Sequence, residues 1–479
     1  MLFTSTVFLF LFLPLVLLLH YALPANLRNL FLLLASLFFY AWGEVFYAGI
    51  ILVSMGMNYT LARVMANLPA GGPRRTVLII TVTLNLGLLG WFKYANFIVD
   101  NLNGLLHLCN VSLIHLDTVH LPIGISFFTF QALSYVVDAY FGKVAVQRRF
   151  VDLGLYIALF PQLIAGPIVR YYDIAAEIVY RRVDLKRFAY GIRRFIIGIG
   201  KKMVLANPMG EVADTVFALS PGEWTTPLAW LGIACYTLQI YFDFSGYSDM
   251  AIGLGRMLGF TFKENFRYPY TASSIREFWR RWHISLSTWF RDYLYIPMGG
   301  SHVSPLRTIA NLWIVFLLCG LWHGSSWNFV IWGGLHGFFL SLERTRFEQI
   351  RRWLWRPLQH AYALLVVMLA WVFFRLETLP EALAFIAVMA GVREGQAPPL
   401  LTLELFPIEH QLVFMGAILS CVSWSSIGGW IKGTTTFRWP LWMSVGGHVL
   451  DVTALMAILI FSIMNVAVGT YNPFIYFRF

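Results

Sequence analysis

Charged residues are scarce in this sequence. They make up 12% of its 479 residues, about half of the roughly 25% that is usual in soluble domains. Apolar runs recur along the whole length, so no stretch of ordinary composition is left for a soluble domain; they include residues 7–19, 30–42, 77–91, 361–374 and 454–466. We therefore expect an all-α, polytopic integral membrane protein in which residues 1–479 form a single membrane domain.

Paired cysteines and metal-ligand motifs are also missing. A disulfide framework or a zinc site requires characteristic spacings, and these are absent from the four cysteines: Cys109, Cys235, Cys319 and Cys421. The sequence also lacks an H-E-x-x-H motif and a cluster of carboxylates. We therefore predict no metal site, and we expect the thiols in apolar segments to pack as small hydrophobic groups.

Acidic residues are outnumbered, with 24 Asp and Glu against 35 Lys and Arg. In a membrane protein such an excess of Lys and Arg is usual in cytoplasmic loops. We therefore expect the protein to contact membrane lipid and to bind no nucleic acid. Basic clusters at Arg28, 63–75 and 143–149 alternate with loops near Glu44 and at 100–120 that lack Lys and Arg. The alternation predicts about twelve spans with both termini outside the cytoplasm. Since residues 1–6 carry no positive charge, we expect residues 1–23 to be a retained first span.

The sequence Trp322-His323-Gly324 lies between apolar stretches at 309–321 and 326–341. Each is shorter than the roughly 20 residues that a spanning helix needs, which predicts a turn below the membrane surface. An ionisable group at that depth is a functional candidate. His323 is therefore interpreted as a general base, because an imidazole titrates close to neutral pH; the alternative is a structural histidine that joins two half-helices.

Two further segments combine polar residues with apolar surroundings. Residues 274–294 fit a basic amphipathic helix in the cytoplasmic interface, with a cationic face that carries Arg276, Arg280, His283, Ser287 and Arg291. Arg280, Arg281 and Arg291 are candidates to bind the phosphates of a donor such as a coenzyme A thioester; the alternative is a helix that only anchors the chain. Residues 151–169, with Pro161, Gly166 and Pro167, predict a re-entrant element that lines a lumen.

Asp243 and Asp249 lie in an unusually polar stretch at the end of an apolar run. Carboxylates at that depth can bind or orient other groups at a site, including histidines. They can equally form buried ion pairs or helix caps. Both interpretations remain open from the sequence.

The most specific pattern is a set of strings densest over residues 160–341: PQLIAGPIVR from Pro161, YFDFSGYSDMAIGLG from Tyr241, ENFRYPY from Glu264, EFWRRWHISLSTWFRDYLYIPMGG from Glu277 and GLWHGSSWNFVIWGGLHG from Gly320. Together they resemble the membrane-bound O-acyltransferase family, in its bacterial branch for alginate and related polysaccharides. The resemblance implies a cavity that runs toward both faces, an essential His323 beside Trp322, and a second family histidine at His283. It also implies transfer of an acyl group, most simply acetyl, from acetyl-coenzyme A or a similar cytoplasmic thioester, with no bound cofactor.

The resemblance further implies a bacterial inner-membrane location, an exported polysaccharide as acceptor (alginate, cellulose or peptidoglycan), and a periplasmic esterase-like partner that finishes the transfer. Related systems carry a terminal aromatic motif whose tyrosine is proposed to hold the acyl group. In the tail at 472–479 the matching residue is Tyr476, although an aromatic tail is ordinarily an interface anchor.

Two other functions stay open. A transporter or flippase of a lipid-linked envelope precursor would use the same buried histidine and basic face as a translocation path, and it would move its substrate without consuming an acyl thioester. A non-catalytic scaffold of an envelope complex would keep acylation intact after His323→Ala.

Overall fold

Helices form the described part of the chain, which comprises residues 1–396, 404–423, 441–469 and 471 of a computed structural model, without the side chains of 441–446. No β-strand occurs in these ranges, so the predicted all-α fold is confirmed. The first half contains α1 Leu13–Ala22, α2 Ala25–Ala41, α3 Ala48–Asn67, α4 Gly72–Leu108, α5 Ile125–Tyr140, α6 Phe150–Ala158, α7 Phe160–Leu163, α8 Tyr171–Val179, α9 Leu185–Gly200, α10 Asn207–Ala218 and α11 Thr226–Leu258.

The second half continues with α12 Ile275–Arg281, α13 Ile284–Phe290, α14 Pro305–His323, α15 Trp327–Leu342, α16 Phe347–Trp353, α17 Arg356–Arg375, α18 Leu379–Met389, α19 Ile408–Ser420 and α20 Leu441–Val468. Of three wider π-helical turns, Phe8–Phe12 leads into α1, Lys201–Ala206 joins α9 to α10, and Arg291–Tyr295 continues α13.

Among the described residues, five helical segments are long and apolar enough to cross a membrane: α3, α4, α14, α17 and residues 447–468 of α20. The predicted total of about twelve spans is not tested by this criterion of length and composition. The expectation that both stretches around His323 are too short is wrong for α14. Its 19 residues extend about 28 Å at 1.5 Å per residue, because Pro305 starts the helix before the apolar run and His323 ends it.

The backbone of 150–170 is broken, as the sequence predicts. Helix α6 stops at Ala158, Leu159 adopts a non-helical conformation, and α7 lasts for only four residues. Pro161 lies in the first turn of α7, where its missing N–H costs no hydrogen bond. Residues 152–170 are buried throughout. Such broken backbone is tolerated where protein covers it, while re-entry into a membrane stays a prediction.

Helix α11 is the central element of the fold and is buried along nearly its whole length. It packs directly against α9 through facing glycines: a Cβ on Gly198 would lie 2.6 Å from the carbonyl oxygen of Gly246. Only glycine permits this approach. This close packing holds α11 in place, and the loop at 259–274, which leads into the candidate site, begins at its end.

Candidate active site

His323 is the last residue of α14 and is 3% exposed. Aromatic rings surround its imidazole, with centroid distances of 4.9 Å to Trp322, 4.8 Å to Trp332 and 5.2 Å to Phe374. Rings of this size exclude water and leave few polar groups in the wall. The structure therefore confirms the predicted burial of His323.

The backbone beside His323 is held by α4. Lys93 donates hydrogen bonds to the carbonyl oxygens of Trp322 and of His323, the latter at 3.3 Å, and the Tyr94 hydroxyl donates to that of Leu321 at 2.8 Å. These are carbonyls of the last turn of α14, where a cation also complements the helix dipole. Sequence reasoning missed Lys93, although a lone lysine inside an apolar run is itself a signal of function.

Helices α14 and α15 cross with their backbones in contact. A Cβ on Gly320 would lie 2.2 Å from the carbonyl oxygen of Phe329, and one on Gly333 would lie 2.2 Å from that of Phe316. Since real Cβ atoms do not approach so closely, both positions require glycine. The crossing sets the angle at which the end of α14 presents His323.

The predicted amphipathic helix over residues 274–294 is wrong at His283, where the helix is interrupted. The segment 274–294 is interrupted at Trp282 and His283, between α12 and α13, and His283 adopts a left-handed conformation with φ 41° and ψ 54°. Its side chain is fully buried and does not join a cationic face. Its Nδ1 lies 3.2 Å from Oδ1 of Asn265, and its ring centroid lies 6.0 Å from that of Trp322. Trp322 therefore contacts both candidate histidines, His283 and His323.

The arginines of the interrupted segment line a cavity of about 390 Å³, which we call the arginine cavity. Arg276, Arg280 and Arg291 contribute to it, together with Ser287 from α13 and Cys319 from α14. Arg281 does not. Its guanidinium pairs with Glu277 at 2.6 Å and donates to Thr271. The structure thus brings Arg276, Arg280 and Arg291 of the predicted cationic face to one cavity, whereas Arg281 is engaged elsewhere. Binding of donor phosphates stays a prediction.

The N-terminus of α12 is held by Glu343, a buried carboxylate that sequence reasoning missed. Glu343 accepts hydrogen bonds from the backbone N–H groups of Ile275 at 2.6 Å and Arg276 at 3.0 Å. Burial raises the pKa of this carboxyl group, and the two N–H groups act in the opposite direction. The pairing places the first arginine of the arginine cavity.

A second cavity, of about 340 Å³, lies beside the residues that directly follow His323, and we call it the lysine cavity. Its wall includes Lys93 and residues 324–326, and also a charged set from other helices: Asp214, Arg375 and Glu377. Arg375 and Asp214 form an ion pair at 2.8 Å. Helix α14 thus borders the arginine cavity through residues 312–319 and reaches the lysine cavity directly after His323.

Asp243 and Asp249 form ion pairs away from the two histidines. Asp243 pairs with Lys202 at 2.7 Å, and Asp249 pairs with Arg194 and Lys201, both at 2.8 Å. Neither aspartate lines the arginine cavity or the lysine cavity. Of the two interpretations left open by the sequence, the structure supports buried ion pairs, and the aspartates hold α11 to α9 and to the segment that follows it.

The tail after α20 begins beside the lysine cavity. The Tyr471 hydroxyl donates to Asp214, which lines that cavity, and Asn207 donates to the carbonyl oxygen of Tyr471 at 2.8 Å. The proposed acyl carrier Tyr476 lies outside the described residues. The anchored Tyr471 fixes where the tail starts.

Comparisons with known proteins identify the family of this chain. A model described as the membrane-bound O-acyltransferase family matches residues 146–377, which include His283, His323 and the arginines of the arginine cavity. A probable alginate O-acetylase from Azotobacter vinelandii is 47% identical over 394 residues, 81% of this chain and 78% of the relative. One from Pseudomonas putida is 40% identical over the full length of both chains. A peptidoglycan O-acetyltransferase from Helicobacter pylori is 36% identical over 82% of this chain and 80% of the relative.

Proposed function

Because the chain belongs to the membrane-bound O-acyltransferase family, we propose that it passes an acetyl group from a cytoplasmic thioester toward an exported polysaccharide. The protein is a membrane-bound O-acetyltransferase. One observation supports the route most strongly: His323 is buried where α14 leaves the arginine cavity and reaches the lysine cavity. His323 itself lines neither cavity, and it lies on the chain between Cys319 of one wall and Gly324 of the other. We propose that the reactants approach it from these two sides.

The arginine cavity is the donor site in this proposal. Acetyl-coenzyme A carries phosphates, and guanidinium groups bind phosphate with paired, charge-assisted hydrogen bonds. Arg280 and Arg291 are exposed and Arg276 is half-buried. Arg291 pairs with Asp292 at 2.7 Å but, unlike Arg281, still lines the cavity, where Phe316 and Cys319 form the apolar part of the wall. The cavity thus offers a cationic rim and an apolar interior, which suits a phosphorylated carrier with a small acyl group.

His323 acts as the general base, and His283 assists beside the donor. The hydroxyl oxygen of the acceptor attacks the thioester carbonyl carbon, the new C–O bond forms, and the C–S bond breaks. The imidazole takes the proton of the hydroxyl group and returns it to the leaving thiolate. The reaction consumes no cofactor, and the surrounding rings of Trp322 and Trp332 keep water from competing with the acceptor.

The lysine cavity is the acceptor site. We propose that it faces the periplasm of a bacterial inner membrane, with both chain termini on that side and a periplasmic acyltransferase or esterase-like partner that completes transfer to the polymer. Alginate and peptidoglycan are the polymers named for the relatives. We propose an exported polysaccharide of this class as the final acceptor here.

Tyr476 is the proposed first acceptor of the acetyl group. Tyr471 is anchored at the wall of the lysine cavity, and five residues of extended chain span roughly 17 Å, which is enough to reach from that wall into a cavity of this size. Tyr476→Phe is expected to abolish polymer acetylation while the protein still inserts into membranes. The matched variant Phe477→Leu should keep acetylation. Normal acetylation by Tyr476→Phe would exclude the carrier role.

The direct test of the function uses purified full-length protein with acetyl-coenzyme A as donor and deacetylated alginate oligosaccharide as acceptor, and it measures release of the free thiol. Wild type is expected to release the thiol, and His323→Ala is expected to reduce release by about 1,000-fold. His107→Ala, which changes an exposed histidine at the end of α4, is the matched control and should leave the rate unchanged. A flippase would consume no thioester, and a scaffold would keep acetylation after His323→Ala.

A further inference from the structure

Asn265 occupies the centre of a polar network beside His283. It is fully buried in the loop that follows α11. Its Oδ1 accepts hydrogen bonds from the backbone N–H of Ser285 at 3.1 Å and from the Ser285 hydroxyl at 2.9 Å, and it lies 3.2 Å from His283 Nδ1. Its Nδ2 donates to the Ser248 hydroxyl of α11 at 3.1 Å.

These contacts determine which nitrogen of His283 carries the proton. A backbone N–H can only donate, so the amide atom that faces Ser285 must be the carbonyl oxygen. A carbonyl oxygen only accepts, and the Ser285 hydroxyl, which lies 3.4 Å from His283 Nδ1, directs its hydrogen to the closer Asn265 oxygen at 2.9 Å. His283 Nδ1 must therefore be the protonated nitrogen. The Nε2 atom of the neutral ring then bears the lone pair. It is buried and has no hydrogen-bond partner within the described ranges.

His336 provides an internal contrast. It is equally buried, but its Nδ1 accepts a hydrogen bond from the indole N–H of Trp279 at 3.2 Å. The proton of the neutral ring must therefore be on Nε2. His283 and His336 therefore hold opposite tautomers, and of these two only His283 has Nε2 as an acceptor.

We propose that Asn265 is a positioning residue that holds His283 in the tautomer with an unshared Nε2 lone pair, so that neutral His283 can accept a hydrogen bond from a reactant and assist the general base His323 during acetyl transfer. The inference rests on the proposed function. The strained left-handed backbone of His283 supports it, because such conformations persist where surrounding contacts fix them and they cluster at functional sites.

The network also fixes the ring relative to the rest of the site. The Ser285 hydroxyl that donates to Asn265 accepts a hydrogen bond from the backbone N–H of Ile168 at 3.0 Å. Ile284, the residue after His283, donates its backbone N–H to the backbone carbonyl oxygen of Asn265 at 2.9 Å. Asn265 thus joins α11, the broken segment before α8 and the α12–α13 junction around one imidazole.

The test compares Asn265→Ala and Asn265→Asp with wild type in the thiol-release assay across pH. Loss of the acceptor in Asn265→Ala frees the ring and its tautomer, so we expect kcat to fall by about 100-fold with KM within about threefold. The carboxylate in Asn265→Asp still accepts from Nδ1 and stabilises the imidazolium of His283, so His283 becomes neutral only at higher pH. Its acidic limb of kcat/KM should move up by about one pH unit.

Asn85→Ala is the matched control, because Asn85 is a buried asparagine that pairs with Asn58 between α3 and α4; it should keep both kcat and the pH profile. His323 and Lys93, the other titratable groups that contact Trp322, are unchanged in these variants. If Asn265→Ala does not fold, the pH profile of Asn265→Asp decides alone. An active wild type with an unshifted Asn265→Asp profile would overturn the role of Asn265, whereas a wild type that releases no thiol would contradict the proposed function itself.

Discussion

His323 and His283 contact the same indole, that of Trp322, yet they are held in different ways. His323 ends a regular helix, and aromatic rings from α15 and α17 pack around it. His283 interrupts a helix, and the amide of Asn265 fixes it through a hydrogen bond. Apolar packing therefore places one imidazole and polar contacts place the other. The first kind of position can be inferred from hydrophobic pattern, and the second requires knowledge of contacts that are distant in sequence.

Replacing each histidine tests whether the two act on the same reaction. His323→Ala is expected to lower kcat for thiol release by about 1,000-fold, and His283→Ala by about 100-fold, because general acid–base groups contribute 10² to 10⁴. If both act on one proton transfer, the double variant should lose far less than the product of the two effects. Full additivity would separate their roles.

Gly320→Ala tests the packing that presents His323. An added Cβ would lie 2.2 Å from the backbone of Phe329, so α14 and α15 must separate, and we expect a loss of about 3 kcal/mol in the free energy of unfolding. Gly334→Ala is the control on α15, since its nearest neighbour would be 3.7 Å away. Thermal unfolding in detergent measures both. Equal midpoints would show that the crossing is not tight.

The sequence predicted the burial of His323 because an ionisable residue inside an apolar run can be recognised from local composition. It did not predict the interruption at His283, because the helical spacing of Arg276, Arg280 and Arg291 continues across it. The hydrogen bond between Lys93 and Trp322 joins residues 229 positions apart, and hydrophobic periodicity does not report such pairs. The same applies to the salt bridge between Asp243 and Lys202, where the sequence allowed two interpretations.

Lys93→Met tests whether the turn after His323 needs its cation. The variant leaves the carbonyl oxygens of Trp322 and His323 without their donor, so we expect a loss of about 2 kcal/mol in stability and a parallel fall in kcat. Lys93→Arg retains a charged donor and should recover part of both. A stable and fully active Lys93→Met protein would show that aromatic packing alone positions His323.

Substitutions of the arginines have the smallest expected effect, and they distinguish binding of the donor from catalysis of the transfer. Arg280→Gln and Arg291→Gln should each raise the KM for acetyl-coenzyme A by about tenfold with little change in kcat, since each removes binding energy shared by the ground state and the transition state. Arg281→Gln should not, because Arg281 pairs with Glu277 outside the arginine cavity. Steady-state kinetics at constant ionic strength distinguishes the three variants.

Transport of label in sealed vesicles tests the account most directly. Proteoliposomes would enclose deacetylated alginate oligosaccharide, and acetyl-coenzyme A with a radiolabelled acetyl group would be added outside. We predict that wild type delivers labelled acetyl groups to the enclosed oligosaccharide or to the tail at 472–479, and that His323→Ala delivers none to either. Equal delivery by both proteins, or label confined to the outer solution despite thiol release, would contradict a route from the arginine cavity past His323 to the lysine cavity.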